Sequence, residues 1–114
     1  MRLLPEIIAE RGDRRRIELD LRVPDDLHCL TGHFPGMPIV PGVMQVDWSV
    51  RIARTRLALQ GRFSRAENLK FQSIVWPKAR LTLGLELASA TRLAFRYFAE
   101  SRNYSTGMLV FDLP

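Results

Sequence analysis

Cysteine is almost absent from this chain, which has one, Cys29, among 114 residues. A disulfide within the chain is therefore excluded, and so is a zinc site built from cysteine ligands. Long apolar runs are also lacking, since no stretch approaches the roughly 18 to 20 residues that a membrane span requires. The N-terminal residues carry acids where a signal peptide has its apolar segment. We therefore expect a protein of a reducing compartment, located in the cytoplasm.

Acidic residues are missing from one segment of the chain. Between Trp48 and Ala66 there are five arginines and no acid, so this segment alone accounts for the formal net charge of +5. Such a segment is usually a solvated face, but it also suits an acidic partner. The arginines are not interleaved with exposed aromatic residues, and no helix-turn-helix or RNA-binding motif occurs. Both observations weigh against a nucleic-acid-binding module.

Alternation of apolar and polar residues predicts several strands. Residues 15–23 and 80–87 alternate most clearly, with one face formed by Ile17, Leu19, Leu21 and Val23 and by Leu81, Leu83, Leu85 and Leu87. Further strands are predicted over 68–76, 92–99 and 104–111. The apolar spacing of the first ten residues (Leu3, Leu4, Ile7, Ile8) instead indicates a short amphipathic helix.

A shaped loop and a long helix separate the first strand from the others. Residues 32–42 hold three prolines and three glycines, which excludes regular structure there. A helix is predicted from Gly42 to Gln60, with Pro41 at its first turn and Gly61 as its stop. Two apolar stripes on opposite sides predict a helix buried on two sides: Val43, Val46, Val50, Ala53 and Leu57, and Met44, Trp48, Ile52, Thr55 and Leu59. The chain is thus predicted to be a single α+β domain over residues 1–114.

The loop and the start of the helix carry the residue types that acid–base chemistry needs. A histidine, His33, lies on the loop, and an unperturbed pKa of about 6.5 suits imidazole to general base catalysis. The free N–H groups at Gly42 can hold an oxyanion. Asp47, flanked by Val46 and Trp48, is a candidate acid because apolar surroundings favour the protonated carboxyl. Together the three groups fit dehydration of a 3-hydroxyacyl thioester, although the spacing alone fits any loop histidine and helix aspartate.

The segment from His33 to Val43 resembles the motif His-Phe-Pro-Gly-x-Pro-x-x-Pro-Gly-Val of the 3-hydroxyacyl-acyl-carrier-protein dehydratases of the hot dog fold. Every fixed position matches, and Asp47 stands where that family has an acid fourteen positions after the histidine. Residues 69–77 and 79–83 look like the strands that follow in the family. The run Val-Met-Gln-Val-Asp-Trp after Pro41 and Gly42 is similar to the short dehydratases of aryl polyene pigment clusters.

This resemblance implies a hot dog fold, an antiparallel sheet curled around a long central helix. It also implies that His33 removes the α-proton, that Asp47 protonates the leaving hydroxyl, and that the Gly42 N–H polarises the thioester carbonyl. No metal or redox cofactor is expected. The active site would lie at a dimer interface, with the histidine of one subunit facing the acid of the other, so that a monomer would be inactive. The dimer would be a homodimer or a heterodimer with another hot dog dehydratase.

The substrate implied by the family is an acyl group on the phosphopantetheine of acyl carrier protein, with the trans-2-enoyl thioester as product. We expect the acidic carrier protein to dock on arginines of the basic segment, namely Arg51, Arg54 and Arg56. Apolar residues around the loop and helix are candidates to line the acyl site, although such residues are more often core: Phe34, Met37, Val40, Met44 and Trp48.

Non-catalytic interpretations stay open for several of these residues. Asp47 can serve only as the i,i+4 partner of Arg51 on one helical face. His28 is interpreted as structural, since no further ligands are spaced to complete a metal site with it. For the whole chain, the alternatives are a hot dog acyl thioesterase, against which His33 argues, and a non-catalytic hot dog partner subunit.

Overall fold

A computed structural model of the chain describes residues 4–25 and 39–114. Within them lie one helix and six strands, namely β1 (Glu6–Gly12), β2 (Arg16–Arg22), α1 (Gly42–Arg56), β3 (Arg62–Phe71), β4 (Arg80–Ser89), β5 (Arg92–Ala99) and β6 (Arg102–Asp112). The strands form one antiparallel sheet in the order β1-β2-β4-β5-β6-β3. The helix covers the apolar face of this sheet, which confirms the predicted α+β architecture. None of the described helical residues forms a segment long and apolar enough to span a membrane.

The core lies between the helix and the inner face of the sheet. Leu83, at the centre of β4, is opposite Leu19 on β2 and Tyr97 on β5, and all three side chains are fully buried. The alternation predicted for β2 and β4 is confirmed, since every apolar residue assigned to the inner face is buried. Alternation therefore located the centre of the sheet correctly, because these strands have one face on the core and one in solvent.

The N-terminal residues form a strand, so the helix predicted for the first ten residues is wrong. Gly12 has a φ of 132°, and a Cβ at this position would collide with the Arg16 carbonyl oxygen, so the turn after β1 requires glycine. The Asp13 carboxylate then accepts the backbone N–H groups of Arg15 and Arg16 at 2.8 and 3.0 Å. Through this turn, β1 and β2 form an antiparallel hairpin.

The helix begins at Gly42 as predicted but ends at Arg56, four residues before Gln60. Leu57 leaves the helix in an extended conformation, with φ of −113° and ψ of 160°, and its side chain is buried in the core. Gly61, the predicted stop, instead has a φ of 95° just before β3. Burial of Leu57, rather than a glycine cap, therefore ends the helix.

Burial of α1 is one-sided within the described chain. Its buried residues are Gln45, Trp48, Ser49, Ile52 and Ala53. Val43, at the head of one predicted stripe, is 68% exposed, and three other stripe residues are only partly buried against the core: Met44, Val46 and Val50. Among the described residues the sheet covers one side of the helix and leaves the side at Val43 open.

The strand β3 begins six residues before and ends five residues before the predicted strand over 68–76, and it forms one edge of the sheet. Its residues are largely exposed, so the alternation that identified other strands is missing there. Asn68, with a φ of 54°, lies at an irregularity in its pairing with β6. Beyond β3, Val75 forms an isolated antiparallel bridge with Val40, which attaches the start of α1 to the chain after β3.

Candidate active site

The candidate site residues divide into two groups. His33, Phe34 and Met37 lie outside the described residues, so the structure does not test their placement. Gly42 is the first residue of α1, and Asp47 lies in its second turn. The donor and the acid of the predicted chemistry are therefore on one rigid element.

Gly42 opens onto a groove of about 920 Å³ between the start of α1 and the chain that follows β3. Pro41 caps the helix through its backbone only, its carbonyl accepting the N–H groups of Met44 and Gln45 at 3.0 and 3.3 Å. The groove is largely apolar, and three of its aromatic or aliphatic side chains are about half exposed: Phe71, Ile74 and Trp76. A helix N-terminus beside apolar surface can stabilise negative charge on an oxygen with little competition from water.

The ring of Phe71 lies directly against Gly42. A Cβ at position 42 would be 2.7 Å from Phe71 Cε1 and 2.8 Å from Cζ, closer than carbon atoms approach. The ring must therefore move to admit a larger residue at this position, and it forms one wall of the groove beside the Gly42 N–H.

The variant Gly42→Ala is expected to lower the free energy of unfolding by up to about 1 kcal/mol, the low end for overpacking, because the added methyl displaces the half-exposed Phe71 ring. In the double variant Gly42→Ala/Phe71→Ala, that penalty should largely disappear relative to Phe71→Ala alone. Denaturant unfolding of the four proteins gives the coupling energy. Additive effects of the two substitutions would show that the ring does not restrict position 42.

Asp47 is paired with Arg51, whose Nε donates to Asp47 Oδ2 at 2.8 Å. The Asp47 side chain is 40% exposed in the single chain. The i,i+4 pair that the sequence offered as an alternative is thus present. The apolar surroundings expected for Asp47 are therefore not found among the described residues. Its exposed surface nevertheless leaves room for a substrate hydroxyl.

Three candidate acyl-site residues fall within the described chain, and two of them belong to its core. Trp48 and Val40 are buried, and the Trp48 ring contacts Tyr97 edge to face at a centroid distance of 6.5 Å. Met44 is partly buried against the same core. Val40 also lines the groove beside Gly42. Contact of these side chains with an acyl group stays a prediction.

Several arginines of the basic segment form ion pairs with acidic residues that lie outside it in the sequence. Three of its five arginines pair with carboxylates, namely Arg51 with Asp47, Arg56 with Glu10 and Arg65 with Glu67. The Arg56 guanidinium, through two hydrogen bonds of 3.0 and 3.1 Å, holds the pKa of the Glu10 carboxyl below its ordinary value. Arg54 instead donates to the Gly61 carbonyl at 2.9 Å and lies over the Phe111 ring. Among the three arginines predicted to dock a carrier protein, Arg54 therefore offers the charge least compensated by the described residues.

Sequence reasoning missed a buried polar cluster under the first turns of α1. It consists of Gln45, Ser49, Tyr97 and Ser105, which are all buried. Ser105 Oγ on β6 donates to Gln45 Oε1 at 2.6 Å, and Tyr97 Oη on β5 donates to the Gln45 carbonyl at 2.8 Å. The sequence carried one sign of this cluster, because the polar residues Gln45 and Ser49 are four apart within an otherwise apolar helix pattern.

In the described ranges, no cluster of three or more His, Cys, Asp and Glu side chains is arranged to hold a metal ion. The expectation of a reaction without a metal or redox cofactor stays a prediction.

A family model described as ApeI dehydratase, of the ApeI-like family, matches residues 9–108. The chain belongs to the ApeI-like dehydratase family. This confirms the resemblance noted in the sequence, including its similarity to the short form. Among curated proteins, the ApeI-like chain is similar to two 3-hydroxyacyl-[acyl-carrier-protein] dehydratases named FabZ. The protein of Legionella pneumophila is 31% identical over 62% of this chain and 54% of its own length, and that of Erythrobacter litoralis is 35% identical over 58% and 50%. The chain spans about half the length of these curated relatives.

Solved structures extend the likeness of this ApeI-like dehydratase to the whole fold. A chain of the dehydratase heterocomplex ApeI:P from Xenorhabdus doucetiae matches with a TM-score of 0.85 and 31% identity, over 96% of this chain and 98% of that one. An uncharacterised protein from Erwinia carotovora subsp. atroseptica gives 0.80 and 36%, over 95% of both chains. A hypothetical thioesterase from Streptococcus pneumoniae, at 14% identity and a TM-score of 0.58 over 93% of this chain and 86% of its own, shares the fold alone. The hot dog fold implied by the motif is thereby confirmed.

Proposed function

We propose that this protein dehydrates a 3-hydroxyacyl thioester carried on acyl carrier protein to the trans-2-enoyl thioester, in fatty acid or polyene biosynthesis. The observation that carries the proposal is the helix N-terminus at Gly42, which opens onto a largely apolar groove. Asp47, in the next turn of α1, is not among the residues that line this groove, and we place it in the site shared with the second subunit. The motif that begins at His33 supplies the remaining group, and the family assignment supports the same reaction.

In the proposed reaction, the His33 imidazole removes the proton from the carbon next to the thioester carbonyl. The electron pair moves toward the carbonyl oxygen, where the Gly42 N–H stabilises the developing negative charge. The pair then forms the carbon–carbon double bond as the β-hydroxyl leaves with a proton from Asp47 of the partner subunit, and water is released. No electrons are gained or lost overall, so the step requires no redox partner.

The test is mass spectrometry of 3-hydroxyacyl carrier proteins of several acyl types incubated with the protein. We expect loss of 18 daltons, the mass of water, from the acyl carrier protein. Release of free thiol without that loss would replace the proposal with a thioesterase, because dehydration leaves the thioester intact. Neither change with any acyl group would favour a non-catalytic partner subunit.

The partner that we propose at the open side of the chain is a second hot dog subunit. The strand β3 has ten residues and a free edge, and its exposed apolar side chains include Phe63, Leu69 and Phe71. Free edges of this length are usually paired or protected in native proteins. A related chain comes from a heterocomplex. Light scattering of the purified protein should give twice the 13.1 kDa of one chain, whereas a mass of 13.1 kDa that doubles only with a related dehydratase would indicate a heterodimer.

The docking surface for the carrier protein is proposed around Arg54. Arg54→Glu should raise KM for a carrier-bound substrate about tenfold and leave KM for a small thioester mimic unchanged, since only the carrier protein contacts this surface. Arg51 is less suitable, because a glutamate there would place two carboxylates side by side.

A location in the cytoplasm, which we expect from the single cysteine, is also part of the proposed function.

Arg96→Glu is the matched control for Arg54→Glu. Arg96 also donates to an oxygen, that of the Asn103 amide at 2.9 and 3.0 Å, and lies over a phenylalanine ring, Phe98. Reversing the charge of Arg96 changes the net charge by the same amount as in Arg54→Glu. Arg96, however, lies on the outer face of β5. Equal KM changes in the two variants would reject docking at Arg54.

A further inference from the structure

We propose that Gln45 is a positioning residue, which fixes the start of α1 against the sheet and so aims the Gly42 N–H at the substrate carbonyl. The effect on catalysis rests on the proposed function. Its structural basis is the set of hydrogen bonds that the buried Gln45 side chain and carbonyl make to three other parts of the chain.

The Gln45 amide bridges the sheet and the segment before the helix. Its Oε1 accepts from Ser105 Oγ on β6 at 2.6 Å, and its Nε2 donates to the Val40 carbonyl at 3.3 Å. The Val40 N–H in turn donates to the Val75 carbonyl at 2.9 Å. Val40 is therefore held through both of its backbone groups, two residues before Gly42.

The backbone carbonyl of Gln45 is a second anchor. Tyr97 Oη and Ser49 Oγ lie 2.8 and 2.9 Å from this oxygen, and 3.0 Å from each other. Each hydroxyl has one proton, so two of these three contacts are hydrogen bonds at any moment. Burial raises the pKa of the Tyr97 phenol well above its ordinary value, which keeps the phenol protonated as a donor. The second turn of α1 is thereby tied to β5.

These anchors matter because an oxyanion donor acts only within a narrow distance range. A backbone N–H must lie about 2.7–3.1 Å from the oxygen that becomes negative, and a displacement of about 1 Å costs on the order of 100-fold in rate. Gln45 also lines the groove, but both ends of its amide are committed to Ser105 and Val40, so we assign its influence on the reaction to the position of Gly42. A loss confined to the transition state lowers kcat and leaves KM unchanged.

The test compares Gln45→Leu with Ser49→Ala. Leucine fills the site but removes both amide hydrogen bonds, whereas Ser49→Ala removes a hydroxyl from the same cluster and leaves the amide bridge intact. Turnover of a small thioester mimic gives kcat and KM. The NMR shift of the Gly42 amide, and hydrogen exchange of the Met44 amide that bonds to Pro41, report the geometry of the first turn.

In Gln45→Leu we expect kcat to fall about 10- to 100-fold at constant KM, a shifted Gly42 resonance, and at least about tenfold faster exchange of Met44. In Ser49→Ala each quantity should stay within about threefold of the parent value, because the Tyr97 hydroxyl still donates to the Gln45 carbonyl and the amide bridge is intact. An unchanged Gly42 resonance and unchanged exchange in Gln45→Leu would overturn the inference, and so would equal effects in the two variants.

Two further measurements keep the inference testable. If Gln45→Leu does not fold, Ser105→Ala removes one of the two amide hydrogen bonds and should produce smaller changes of the same kind. The NMR readouts do not depend on turnover. A parent protein that dehydrates no substrate therefore refutes the proposed function, while the Gly42 and Met44 signals still decide whether Gln45 positions the first turn.

Discussion

Replacing His33 with alanine is expected to reduce dehydration of a 3-hydroxyacyl carrier-protein substrate about 10²- to 10⁴-fold, which is the usual contribution of a general base. Removing a proton next to a thioester carbonyl requires a base positioned at that carbon, and His33 is the residue of the motif with a side chain suited to accept it. The measurement is the initial rate of water loss, followed by mass spectrometry, at saturating substrate.

The chain contains its own control for this substitution, because it has two histidines and the other, His28, lies outside the motif. His28→Ala should retain turnover within about twofold of the parent value. Both variants should elute with the parent mass, which shows that assembly is intact. Equal losses in the two variants, or an active His33→Ala, would refute the role of His33 as the base.

The parts of the fold that sequence predicted best are those with one face in the core and one in solvent. β5 was placed at its observed bounds, and the inner residues of β2 and β4 were all identified. Such strands alternate, and alternation is visible locally. β1 and the first half of β3 lack it, because both are edge strands whose residues are largely exposed on both faces.

For the candidate site, too, local sequence features were predicted and contacts between distant residues were not. Its chemistry was readable from a contiguous motif, which places Gly42 at the N-terminus of α1 and Asp47 in its second turn. The contacts that fix this arrangement were not readable, because they join residues far apart in the chain, such as Gln45 with Ser105 and Gly42 with Phe71. The apparent concentration of positive charge was misleading for the same reason, since Glu10 reaches Arg56 only in the folded sheet.

Asp47→Asn separates the two interpretations of the acid. An asparagine keeps the shape of the side chain, and its carbonyl oxygen can still accept from Arg51 Nε, but it has no proton acidic enough to give to a leaving hydroxyl. If Asp47 is the general acid, turnover should fall about 100-fold or more. The free energy of unfolding should fall by no more than about 0.5 kcal/mol, the usual value of an exposed i,i+4 ion pair.

Asp20→Asn is the matched control for this variant. Asp20 also pairs with an arginine, Arg11, at 3.1 Å, and its side chain is 40% exposed, as is that of Asp47. It lies on the outer face of β2, away from the groove beside Gly42. Asp20→Asn should therefore lower stability slightly and leave turnover unchanged, so a rate loss confined to Asp47→Asn identifies proton donation. If turnover instead survives in both variants, Asp47 is only the ion-pair partner of Arg51, and the hydroxyl must leave with a proton from another group.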